Sequence, residues 1–279
     1  MQTILRPASL FLTIVLTLAG ASHALAGIGA TLAKSPTLER VVDKSVLRVA
    51  MTAEQPPFSM RDKDGKLVGY DVDLANALAR AMQVDLEVVE LPFAELIPSL
   101  TGNKADVVIS GMSITPERSL RVSFVGPYTL SGKSILTTQR IKKVVKDPLD
   151  FNDSGIRLVA LDRSTSAAYV KRNLPKAQFD AIDNYNEGIE QLLTGQVDAM
   201  VADIPILKLV MLRHPEAKLD MIEPPLSIEP LGLAIRRDDS QFEILLRNYL
   251  RAFDKGGLLA RLQRKWFEDN SWVETIPED

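Results

Sequence analysis

Ala105-Asp106-Val107-Val108-Ile109-Ser110-Gly111-Met112-Ser113-Ile114-Thr115-Pro116-Glu117-Arg118 reads as a buried strand, a turn of small residues and the start of a helix. The β-branched run suits the interior of a sheet. Thr115 is a good N-cap, Pro116 suits the first helical position, and Glu117 complements the positive helix end. Free backbone amides there, with the planar guanidinium of Arg118 nearby, would hold a carboxylate in a fixed orientation. The plainer alternative is a solvated arginine in a first helical turn.

Working outward, residues 37–45 predict a short helix, and Val46-Leu47-Arg48-Val49-Ala50 a first strand running into a loop from Thr52 to Pro57. Asp62-Lys63-Asp64-Gly65-Lys66 is a hairpin-type turn. Past it, Leu74, Ala77, Leu78, Ala81 and Met82 fall on one helical face, residues 86–90 form the next strand, and Phe93 opens a helix that Gly102 closes. This β-α-β-α-β order predicts an α/β fold with a mostly parallel sheet. The pattern restarts with strand 157–161, a helix capped by Ser164-Thr165-Ser166, helix 187–193 and strand 199–202. Strand 231–235 and helices over 242–254 and 258–268 complete the chain. Two extended passages, 133–139 and 229–236, flank the second lobe and read as paired crossovers.

Composition narrows the function. Residues 1–26 have the form of a secretory signal peptide: Arg6, an apolar core from Leu10 to Ala19, and Ala24-Leu25-Ala26 before Gly27. Export to the periplasm is expected. No later stretch approaches the roughly 20 apolar residues of a spanning helix. The chain has no cysteine, which removes disulfides, thiolate metal sites and cysteine nucleophiles. Its formal net charge of −3 argues against nucleic acid and anionic membranes as partners. With His214 the one histidine past the leader, neither a Ser-His-Asp hydrolase nor a histidine-rich metal site is expected. No cofactor and no metal are predicted.

Gly69-Tyr70-Asp71-Val72-Asp73-Leu74, with Leu78-Ala79 and Met82, resembles the signature of the extracellular solute-binding proteins of family 3, the periplasmic amino-acid receptors of ABC importers. The resemblance continues through Phe93, Ile97-Pro98-Ser99-Leu100, Asp106 to Arg118, Pro127-Tyr128, Gly195-Gln196-Val197-Asp198-Ala199, Asp203 and Gly256-Gly257-Leu258. It implies the two-lobed periplasmic binding protein type II fold, with two hinge strands and the ligand in the interlobe cleft. Lobe 1 would comprise 38–135 and 232–279, and lobe 2 would be 136–231. Arg118 would clamp the ligand α-carboxylate, helped by Ser113 and by the backbone around Ser110, Gly111 and Thr165. Asp203 would take the α-ammonium, and Phe93 would pack on the ligand stem. The expected partners are an amino acid and an inner-membrane ABC permease, with the receptor a monomer.

Departures from the pattern bear on specificity. Thr52 and Gln55 stand where receptors for basic and many polar amino acids carry an acid and an aromatic, and Arg163 replaces a common glycine, from which it could reach an acidic ligand group or point to solvent. A polar neutral or acidic amino acid is therefore expected. The alternatives are a sensor-kinase receptor and a periplasmic cyclohexadienyl (prephenate or arogenate) dehydratase, which Leu38 to Arg61 and His214-Pro215-Glu216 also resemble. Lys133 would match a functional lysine of that enzyme group. Ile206, however, stands where the enzyme resemblance needs a carboxylate, and an isoleucine cannot move a proton.

Overall fold

The computed structural model describes residues 35–277; the predicted signal peptide lies outside the described residues. One sheet runs through the whole of this part, in the order Asp85–Glu90, Val46–Met51, Val107–Val108, Ser227–Ile235, Ser123–Thr138, Ala199–Asp203, Arg157–Leu161 and Gln178–Ile182. Its two ends are parallel, as the alternation of strands and helices predicts. In the middle, the long strands Ser123–Thr138 and Ser227–Ile235 pair antiparallel, from Ile235 opposite Ser123 to Ser227 opposite Lys133. These are the two hinge strands of a two-lobed fold. They are longer than the predicted crossovers because their ends also complete the sheet of each lobe.

The two lobes use one device at corresponding places. Asp106, just before strand Val107–Val108, accepts from the backbone N of Arg48 at 2.8 Å and pairs with the guanidinium groups of Arg48 and Arg40. Asp198, just before strand Ala199–Asp203, accepts from the backbone N of Arg157 at 3.0 Å and pairs with its side chain. In each lobe an acid at the start of a strand thus fastens the start of another. No residue-by-residue repeat announces this correspondence in the sequence.

Separate apolar clusters fill the lobes. Leu47, Phe58, Leu74, Phe242 and Trp266 belong to one, and Phe151, Leu158, Val170 and Val201 to another. A third cluster runs beneath both, joining Phe93 and Val108 to Val159 and Met200. Helix Tyr70–Met82 is fixed at its start: Gly69 has φ +140°, and a Cβ there would lie 2.2 Å from the Phe58 carbonyl oxygen. Asp73 in its first turn accepts from Trp266 Nε1 at 2.9 Å and Lys265 Nζ at 2.7 Å, docking the C-terminal segment.

Several elements differ from the sequence reading. Phe93–Glu95 is a 3-10 turn preceding helix Leu96–Thr101, and the helix after Thr115 is the single turn Pro116–Ser119. Helix Ile204–Arg213 was not predicted, because its apolar residues surround the axis and give no one-sided period. Strand Gln178–Ile182 is a mostly exposed edge strand with only Ile182 buried, so it has no apolar run to stand out.

Because the Asp106 side chain is 1 % exposed and neutralises two arginines, Asp106→Ala is expected to cost about 3 kcal/mol of unfolding free energy. Urea denaturation followed by circular dichroism measures it.

Candidate functional site

Sheet register assembles the centre of the site. Lys133 lies directly opposite Asp203 on one neighbouring strand and opposite Ser227 on the other, and Glu229 lies opposite Ser131. Side chains of directly opposed residues, and of residues two apart along a strand, share a face, so Asp203, Lys133 and Glu229 all project to one side of the hinge. The Lys133 side chain is 1 % exposed, so it is a buried hinge lysine and not a solvated one. Its Nζ donates to Glu229 Oε1 at 2.6 Å and to Thr165 Oγ1 at 2.8 Å.

Glu229 was not anticipated from the sequence. Burial would raise its pKa, but the Lys133 charge and the hydrogen bonds from Lys133, Ser113 and Thr165 outweigh that and hold it down at about 2. Asp203 shows the opposite balance: burial outweighs the favourable charges of Lys133 and Arg118 and pushes it up to about 6. It occupies the N-cap position of helix Ile204–Arg213, yet its side chain makes no capping hydrogen bond, and its Oδ1 is buried without a partner. Asp203 is therefore not explained by helix capping.

Arg118 approaches from the first lobe. Its guanidinium lies over the Phe93 ring, 5.4 Å from the centroid, and donates to the carbonyls of Ser113 at 3.0 Å and Arg163 at 3.1 Å. No acid forms a close ion pair with it among the described residues. Desolvation lowers its pKa. The chain thus holds a half-buried cation and a buried carboxylate, each short of a partner.

The turn carrying Ser110 to Ser113 is held from below. Gly111 has φ +51°, and its N–H donates to Asp71 Oδ2 at 2.6 Å. This explains the first acid of the Gly69-Tyr70-Asp71 motif: it shapes the turn, and it uses the Gly111 amide that the sequence reading assigned to the ligand. Ser110 Oγ accepts from Thr52 N and donates to Gln55 Oε1, each at 3.2 Å, so these three residues brace one another. A cavity of about 300 Å³ lies alongside, lined by Thr52, Gln55, Phe93, Leu161, Asn184 and Tyr185. Glu54 and Asp183 also line it.

The remaining predicted residues are placed as follows. Thr165, in the first turn of helix Thr165–Asn173, and Ser113 both turn their hydroxyls to Glu229, at 2.7 and 2.5 Å. The Arg163 side chain is 63 % exposed, and its Nη1 donates to the Ala94 carbonyl of the other lobe at 3.3 Å; it bridges the lobes at the rim. Ile206 is fully buried in the apolar core, away from any proton chemistry.

The model of the bacterial extracellular solute-binding proteins, family 3, matches residues 47–269. The chain belongs to that family. ABC transporter arginine-binding protein 1 of Escherichia coli (strain K12) is 30% identical over 224 residues, 79% of this chain and 90% of that protein. Cyclohexadienyl dehydratase of Pseudomonas aeruginosa is 27% identical over 236 residues, 85% of this chain and 88% of the enzyme. Among solved structures, an ancestral amino acid-binding protein described as a precursor of cyclohexadienyl dehydratase superposes with a TM-score of 0.77 at 35% identity, covering 83% of this chain and 99% of that one.

Buried Asp71 and Asp203 give the family 3 chain a distinctive pH dependence. Burial raises them to about 7 and about 6 respectively, so the stability they contribute is complete below their unfolded value near 4 and is lost as pH rises through 6 and 7. Glu229, Asp198 and Asp239, all lowered, act in the other direction, losing stability as pH falls through about 4. The ligand-free melting temperature should peak between pH 4 and 5 and fall up to about pH 7, with a shallower fall in Asp203→Asn. Thermal melts over that range provide the check.

Proposed function

We propose that this protein captures a free α-amino acid between its lobes and delivers it, in the periplasm, to the permease of an ABC importer. The observation that carries the reading is the pair of incomplete charges on opposite lobes, Arg118 without a carboxylate and Asp203 with an orphaned buried oxygen. A zwitterion completes both at once. Its carboxylate takes the guanidinium of Arg118, which Phe93 and two carbonyls hold in place, and its ammonium takes Asp203. Because each charge leaves water only when the other lobe is near, the ligand favours closure, and closure marks the loaded state.

The side-chain class follows from the adjoining cavity. The acid absent at Thr52 is replaced in space by Glu54 and Asp183, and the aromatic absent at Gln55 by Tyr185. A polar side chain, neutral or positively charged, suits this lining; a carboxylate would meet like charges. The similarity to an arginine-binding protein agrees with that preference. The leader-like residues 1–26 and the family's extracellular character support the compartment.

A thermal-shift screen of the common amino acids tests the reading. A ligand at 100 times its dissociation constant should stabilise the protein by about 2.7 kcal/mol. Arg118→Ala and Asp203→Asn should each abolish that shift while leaving the circular dichroism spectrum unchanged, and a shift retained in both would refute the assigned orientation.

A second reading, dehydration of prephenate or arogenate, is favoured by one observation: Asp203 and Glu229, two acids in one cleft beside Lys133, have pKa values pushed to about 6 and about 2. Divergence of that kind is what acid–base chemistry requires. The similarity to cyclohexadienyl dehydratase adds weight. We expect incubation with either compound to yield no aromatic product above the uncatalysed rate; turnover abolished by Asp203→Asn would establish the enzyme instead.

A further inference from the structure

Glu229 is saturated with donors from every part of the cleft. Its Oε1 accepts from Lys133 Nζ at 2.6 Å and Ser227 Oγ at 3.0 Å, both on hinge strands. Its Oε2 accepts from Ser113 Oγ of the first lobe at 2.5 Å and Thr165 Oγ1 of the second at 2.7 Å. One ammonium and three hydroxyls, converging on a single carboxylate between two lobes, are what a protein would assemble to hold an anionic ligand group. Here the chain supplies that group itself.

We propose that Glu229 is a resident carboxylate that fills the anion cradle of Lys133, Ser113 and Thr165, and so excludes amino acids bearing a second carboxylate. The inference rests on the amino-acid-binding reading and adds its selectivity. Charge bookkeeping supports it. With Glu229 and Asp203 ionised, Arg118, Lys133, Glu229 and Asp203 sum to zero, and a zwitterion leaves that sum unchanged. A dicarboxylic amino acid would add an uncompensated negative charge in a largely desolvated cleft, where unpaired charge is strongly unfavourable. Nor could it displace Glu229 easily, since a tethered carboxylate forfeits no translational freedom on entering its cradle.

The test compares wild type, Glu229→Gln and Glu229→Ala in thermal-shift and calorimetric titrations with aspartate, glutamate and their amides, and with sodium formate. Aspartate and glutamate should not stabilise the wild type, and Glu229→Gln should narrow discrimination between acid and amide at least tenfold. Formate, small enough to enter the vacated cradle, should stabilise Glu229→Ala at millimolar concentration and leave the wild type unmoved. Wild-type binding of aspartate or glutamate as tight as that of the amides would overturn the proposal. So would an absence of formate stabilisation in Glu229→Ala, or, if that variant does not fold, unchanged discrimination in Glu229→Gln. If no amino acid shifts the wild type, the transport reading fails, and the formate arm still decides whether the cradle is an anion site.

Discussion

Charges removed from water must find partners, and the organisation of this cleft follows from how that requirement is met for some groups and left open for others. Lys133 and Glu229 satisfy one another at 2.6 Å, with hydroxyls supplying the remaining bonds. Arg118 and Asp203 do not: the first spends its donors on carbonyls, and the second keeps a buried oxygen with no donor. Burial, with the nearby Glu229 charge, raises Asp203 to about 6 against the pull of Lys133, Arg118 and a Ser131 hydrogen bond, because an ionised carboxylate is unfavourable in a desolvated setting. On the proposed reading, a ligand ammonium would remove that cost, so part of the affinity would be held in the unliganded protein as an unfavourable arrangement that binding relieves.

Such an arrangement persists only if its surroundings cannot relax around it. In the first lobe, Asp71 fixes Gly111, while Ser110, Thr52 and Gln55 brace the turn that leads toward Arg118. In the second, Asp203 ends a strand paired with both Ser123–Thr138 and Arg157–Leu161, so its backbone cannot swing toward a donor. Asp106 and Asp198 lock the far ends of the same strands. Each lobe is stiff where it presents a charge. Between them lie the two hinge strands, which carry Lys133 and Glu229 within two residues of one another in register.

How much of this the sequence disclosed depended on the range of the interaction involved. Strands such as Val46–Met51 and Arg157–Leu161, and the caps Thr115 and Ser164, are set by neighbours a few residues away, and their patterns are legible. Arg118 could be named from its strand–turn–helix motif, and Asp203 and Phe93 from the resemblance to family 3. Glu229 could not. Its meaning depends on a register that brings it beside Lys133, 96 residues distant, and onto Ser113, 116 distant. The one available hint was a charge in an otherwise apolar extended stretch, in Gly132-Lys133-Ser134 and again in Ile228-Glu229-Pro230. Asp183, which lines the cavity beside Thr52, was hidden for a similar reason: it lies 131 residues away in the chain.

Capture and catalysis compete for the same atom in this cleft. Glu229, held at about 2 by the Lys133 charge and by hydrogen bonds from Lys133, Ser113 and Thr165 that outweigh its burial, has no proton to give near neutral pH. Asp203, at about 6, is the one cleft carboxylate raised toward neutrality, and it stays so only while no cation completes it. An ammonium placed against Asp203 favours its ionised form and pulls the pKa back down. On the proposed reading, binding an α-amino acid would therefore silence the cleft carboxylate whose pKa lies closest to neutrality. On the same reading, a ligand with a carboxylate for Arg118 but no ammonium would leave Asp203 at its raised value. The carboxylate that the enzyme resemblance needs at Ile206 would still be missing, so the ligand's ammonium and the residue at 206 together separate capture from catalysis.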